Sequence, residues 1–260
     1  MAVNWDEVQR IIIPIKDYED LCQRLHKSFA YPFVRNTFNF TMPDLVNYSQ
    51  RLLGGDSRNR YTEYNSMLVR IISGLHQAGV QDVVNLLAPT ASREQLEIFV
   101  EQSRISAPDI VTVLKFLIYW VIPNEKYLSG LVREDSCISE AIKVLAELGI
   151  RTNLELLQKG STTTGRMSLV ETSGLPEAVI LELVNRADLS RMPWASKATI
   201  SNIMGAGYGS LDQLANANPE QLYEDFFRYG KTIGKNLKFG NEIENSYRIA
   251  KILPVLLQQD

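Results

Sequence analysis

Apolar residues recur at helical spacing along most of the chain. Between Tyr64 and Ala78, residues Met67, Leu68, Ile71, Ile72 and Leu75 fall on one face, and Val144, Leu145 and Leu148 do the same between Ile142 and Leu148. That three-to-four residue period is the signature of an amphipathic helix. Few stretches alternate as strands do. The run Val113 to Ile122, interrupted by Lys115, is the longest apolar stretch; it is far short of the roughly 20 residues a membrane helix needs and predicts a buried helix. Breaks at Pro43, Gly54-Gly55, Pro89, Pro108, Pro123, Gly160, Pro176, Gly207 to Gly209 and Pro219 are spaced as short helices require. The pattern predicts an all-α fold.

The same pattern returns along the chain. A gap-free offset of 70 residues aligns Gly79 with Gly149, Leu86-Leu87 with Leu156-Leu157, Val100-Glu101 with Val170-Glu171, Ser103 with Ser173 and Ile110 with Ile180. The apolar pairs Val80/Ile150, Val84/Leu154, Ile105/Leu175 and Val111/Leu181 fall in step. An offset of 58 then carries residues 148–150 onto 206–208 and Leu156 onto Leu214. Each copy reads as an apolar helix, a Gly able to take positive φ, an apolar or aromatic residue and a short helix. In the last copy Ser210 is placed to cap a helix from Leu211 to Ala215, and Asn218 before Pro219 to cap the next.

Charge and thiol content narrow the function classes. The chain of 260 residues holds 27 Lys+Arg against 30 Asp+Glu, a formal net charge of -3, opposite to what bulk attraction to nucleic acid needs. The halves differ: 14 basic and 14 acidic residues up to Arg133, 13 and 16 after it. Any polyanion contact must therefore be local. Cys22 and Cys137, far apart and without a CxxC, point to a reduced, cytoplasmic chain. The start MAVNWDEVQR lacks the basic-then-apolar order of a signal peptide.

From Gly160 to Leu222 the chain resembles an uncharacterised bacterial family of tandem helix-hairpin-helix domains. The resemblance is carried by Gly165-Arg166, the turn Glu171 to Leu175, the stretch Val184 to Leu189, and Leu214 to Leu222 with its Asn218-Pro219-Glu220. The closing Arg248 to Pro254 is similar to the family's ending, so the likeness spans about 120 residues, 135–254. It implies tandem helix-hairpin-helix repeats over 132–254; the first half matches only through the internal repeat, which predicts a divergent copy over 56–123 after an additional N-terminal helical region over 1–55. Such hairpins hold a duplex backbone through main-chain N–H groups exposed at a glycine-rich turn of the form Ile-x-Gly-Val-Gly. Here the last hairpin reads Met192-Pro193-Trp194-Ala195-Ser196, and the preceding one Glu134-Asp135-Ser136-Cys137-Ile138. Neither keeps the glycines, and Pro193 removes a donor.

The candidate contacts are Arg191, Trp194 and Lys197 at the last hairpin, and Arg228, Lys231, Lys235 and Lys238 in the acid-free segment that follows Asp225. The first group suits a protein partner around Trp194; the second, interleaved with Tyr229 and Phe239, suits a phosphate backbone or stacked bases. Clustering of Arg186, Arg191 and Lys197 with the later cations on one face would favour nucleic acid. Gly230-Lys231-Thr232 imitates the end of a P-loop, but Asp225 stands where the first Gly belongs. Cys22 and His26, four apart on a helix, lack a third group to orient them. No triad or metal spacing is present, so the expectation is a non-enzymatic scaffold for protein partners without cofactor, metal or membrane. A non-sequence-specific DNA- or RNA-backbone binder is the alternative.

Overall fold

The computed structural model describes residues 3–54, 59–132, 136–237 and 241–258, all helical or irregular, with two isolated bridges and no strand among them. The chain divides into two compact units, Met1–Ile122 and Pro123–Asp260.

The first unit contains α1 (Trp5–Ile12), α2 (Tyr18–Phe29), α3 (Pro32–Phe38), α4 (Met42–Leu53), α5 (Asn59–Gln77), α6 (Val83–Leu87), α7 (Arg93–Ser103) and α8 (Ala107–Phe116). Helix α8 continues as a π-helical turn, Leu117–Val121. Its Val113, Leu114, Phe116 and Leu117 are fully buried, as the apolar run predicts. Leu68, Ile71, Ile72 and Leu75 of α5 are buried as well. By sequence the stretches before and after Gly55 read as separate regions. In the structure they share one core, with α1 on α8, α2 on α6 and α4 on α5; Gly55 itself lies outside the described residues.

The second unit contains α9 (Ser136–Glu147), α10 (Asn153–Gly160), α11 (Thr163–Ser173), α12 (Glu177–Leu189), α13 (Lys197–Gly205), α14 (Leu211–Ala215), α15 (Pro219–Thr232) and α16 (Asn241–Ala250). Helix α10 packs on α11 and α12, α12 also on α14, and α13 on α15. The α13–α15 crossing is close: a Cβ at Gly205 would strike the Tyr229 ring. Helix starts follow local chemistry. Thr152, Thr162, Ser196, Ser210 and Asn218 each accept a main-chain N–H of the first turn that no carbonyl can reach.

Positions separated by 70 residues share backbone geometry as well as residue class. Gly79 and Gly149 take φ of 96° and 77°, and Arg104 and Gly174 take 59° and 67°. Asp82 and Thr152 cap α6 and α10, and Ser92 and Thr162 cap α7 and α11. The Ser103 and Ser173 hydroxyls each donate to the carbonyl four residues back and accept the N–H two residues on. At the offset of 58 the turn recurs. The N–H of Val80, Ile150 and Tyr208 donates to the carbonyl five residues earlier, with Gly207 at φ 101°. This is the paired-bond C-cap in which a residue of positive φ lets the next one fold back onto the helix.

Candidate functional site

The hairpin from α12 to α13 is built around a turn, residues 190–196, whose main chain is tied down from several sides. Trp194 takes φ of 61°, the left-handed conformation that Gly adopts freely and other residues rarely do. Trp194 therefore holds a backbone conformation usual for glycine. Trp194 is 59% exposed. Replacing Trp194 by Gly is expected to leave the protein about 1 kcal/mol more stable than replacing it by Ala, since both remove the ring and only Ala keeps the strained backbone; urea unfolding of the two variants measures the difference.

At the start of α13 a capping box closes two of the donors. Thr199 N donates to Ser196 Oγ at 3.1 Å, and Ser196 N donates back to Thr199 Oγ1 at 3.4 Å. These are N–H groups of the helix start that a phosphate would approach. The carbonyl side of the turn is held by Lys126. Its Nζ donates to Ser190 O at 2.9 Å and Ala195 O at 3.0 Å, and burial pushes its ammonium down to about 8. Lys126 is held in turn by Asn153, which is fully buried. Asn153 Oδ1 accepts Lys126 N, while its Nδ2 donates to Asn124 O and Ser190 Oγ. The first unit uses the same device, with Lys115 Nζ donating to the carbonyls of Ile11 and Ile13.

Arg191 is the main correction to the expected contacts. It is 4% exposed, and its guanidinium pairs with the equally buried Asp188 and donates to Pro254 O at 3.0 Å. Asp188 also receives the Leu211 N–H, joining the end of α12 to the start of α14; burial pushes its carboxyl up against these opposing contacts. With Pro254 seated on it, Arg191 is not open to a partner at the hairpin. Arg186 is turned to Glu182 and Leu131 O, with its side chain 13% exposed. Lys197 is exposed. The structure thus leaves Trp194 and Lys197 open at the hairpin and withdraws Arg191 and Arg186.

Two of the later cations sit on a helix and one follows it. Arg228 and Lys231 lie on α15, which runs to Thr232, and Lys235 follows Gly234. All three are exposed; Arg228 is 3.6 Å from Asp225 and Lys231 lies over the Phe227 ring. Tyr229 faces Gly205, and Gly230-Lys231-Thr232 is helical rather than a phosphate loop. Lys238 and Phe239 lie outside the described residues. Cys22 donates to Thr90 O beside the Tyr18 hydroxyl, with burial pushing its thiol up to about 11, while His26 is exposed. No thiol–imidazole pair forms between them. His76, near the end of α5, meets Val80 O.

Residues 136–238 match the model of a family described as a domain of unknown function, DUF4332. No curated protein and no solved structure matches the chain. The matched stretch opens with α9, contains the whole hairpin with Asp188, Trp194 and the Ser196 box, and ends before Arg248 to Pro254. No helix among the described residues is long and apolar enough to cross a membrane.

Sequence reasoning missed Lys126 and Asn153. Lys126 and Asn153 meet across the unit with no local spacing to announce them. Asp188 and Arg191, three apart across the end of α12, carried a readable signal, because opposite charges at that spacing pair with each other.

Proposed function

We propose that the chain is a non-enzymatic, cytoplasmic adaptor that docks a protein partner on the α12–α13 hairpin, with Trp194 as the anchor and Lys197 beside it. The observation that carries this reading is the closure of the turn. Two of its donors, Ser196 N and Thr199 N, are taken by the capping box and two of its carbonyls by Lys126, so the main-chain route to a phosphate is reduced while a large indole stands at the tip. An exposed aromatic on a rigid turn loses little conformational entropy when it is buried in a partner. The matched turns at Gly79, Gly149 and Gly207 support a chain made by repetition of a helix-hairpin-helix unit, an architecture that presents extended surfaces.

The test is a pull-down from extract of the source cells with wild-type protein and Trp194→Ala. A partner held by the wild type and weakened at least tenfold by the substitution is the expected result; equal retention would sink the assignment of Trp194. The exposed Arg228, Lys231 and Lys235 favour a second reading, a sequence-tolerant contact with a nucleic-acid backbone. Salt-sensitive binding to mixed duplex or single-stranded DNA, abolished by Lys231→Glu, Lys235→Glu and Lys238→Glu together, would establish that reading instead.

A further inference from the structure

After α16 the chain leaves helical structure and crosses the second unit as a strap. Leu253 is buried, and Val255 is 73% exposed. What holds the strap is directed at its main chain. Arg191 donates to Pro254 O at 3.0 Å, Arg166 donates to Gln258 O at 3.1 Å, and Gln258 N donates to Ser161 O at 2.9 Å. Both arginines are almost completely buried and belong to the body of the unit. Arg166 is fixed by Thr163, and Arg191 by Asp188. The groove that receives the strap is therefore built from the body of the unit, and it holds two carbonyls and an amide of the strap while burying the Leu253 side chain.

Beside Leu257 and Gln258 this groove widens into a cleft of about 160 Å³ lined by Arg166, Leu181, Asn185 and Gln213. It offers an apolar wall beside amide groups of the kind that pair with a peptide main chain. Main-chain hydrogen bonds with pockets for alternate side chains are how an extended peptide is recognised.

We propose that this groove is a docking site for an extended apolar segment of a partner protein, resembling Leu253 to Gln258, and that the strap occupies it in competition with that partner. It is a site separate from the Trp194 hairpin and stands whether or not that surface binds. A segment with leucines spaced as Leu253 and Leu257 and free carbonyls between them matches what the groove holds now. Displacement of the strap uncovers the buried Arg191 and Arg166 for the incoming main chain.

The probe is a labelled peptide of residues 252–258, capped at both ends and titrated by fluorescence anisotropy. It is added to the full-length wild type and to a full-length variant carrying Leu253→Ser and Leu257→Ser, which weakens the strap without touching the groove. The variant is expected to bind the peptide at least tenfold more tightly than the wild type, and a peptide with the same two serines is expected to lose binding. Equal binding to both chains, or none by a variant that keeps its helical spectrum and cooperative melt, would overturn the proposal. Should the variant unfold, hydrogen exchange of the wild type decides. The Gln258 amide exchanging at least a hundredfold faster than the α12 interior supports a strap that opens on its own; equal protection refutes it. A wild type that forms a concentration-dependent dimer lost on the same two substitutions would assign the groove to a second copy and also refute the partner reading. In every case the Trp194→Ala pull-down is unaffected, so the two sites fail separately.

Discussion

Replacing Asp188 by Asn is expected to lower the stability of the second unit by about 3–5 kcal/mol, the usual cost of removing one partner from a buried ion pair. The carboxylate lies 2.7 Å from Arg191 Nε, and neither side chain is more than 3% exposed. Asn keeps the shape and loses the charge, so the Arg191 guanidinium stays in the core with a neutral side-chain amide in place of a carboxylate. The loss spreads because Asp188 also receives the Leu211 N–H and Arg191 holds Pro254: the end of α12, the start of α14 and the strap loosen together. Urea unfolding followed by far-UV circular dichroism measures it. Two units give two transitions unless they unfold together, so the shift is read on the one that Asp188→Asn moves. A double variant, Asp188→Leu with Arg191→Met, removes both charges and is expected to recover most of the loss. A single-variant loss below about 1 kcal/mol would show that water reaches the pair.

That pair also shows which parts of this protein were legible from residues alone. Helices were, because an apolar stripe, a capping Ser, Thr or Asn and a breaking Gly or Pro act within one or two turns. Ser210 before Leu211–Ala215 and Asn218 before Pro219 are found where local chemistry puts them. The recurring turns were legible too, since Gly79, Gly149 and Gly207 mark the backbone conformation itself. Trp194 shows the limit of that signal. A missing glycine reads as a broken hairpin, yet the surrounding bonds hold a tryptophan in the glycine's conformation. What a charge does is set by its surroundings: Arg191 and Lys197 look alike in sequence, one paired inside the unit and one in water. The basic segment after Asp225 carries Gly230 and Gly234, yet packing keeps helix through Gly230, where a side chain would strike Lys235 O and Leu237 N.

Lys126→Met carries the other large effect, and pH separates its parts. The wild-type ammonium donates to Ser190 O and Ala195 O from a site where burial has pushed it down to about 8, against 10.5 for an ordinary lysine. At pH 7 Lys126 is charged in both folded and unfolded chains. Met then forfeits two charge-assisted bonds and leaves two carbonyls poorly paired, offset by relief from holding a charge out of water. The net expectation is a loss of about 1–2 kcal/mol. Between pH 8 and 10.5 the unfolded chain keeps the Lys126 proton more firmly than the folded one, so the contribution of this residue to wild-type stability rises with pH. A neutral amine still donates to both carbonyls and no longer suffers from burial. The gap between wild type and Lys126→Met is thus expected to widen by roughly 2 kcal/mol from pH 7 to pH 10. Other lysines and tyrosines titrate over the same range, and taking the difference between the two proteins cancels them. Parallel stability curves across that range would mean that Lys126 titrates like an ordinary lysine, and that the carbonyls of the Trp194 turn are held by something other than its buried amine.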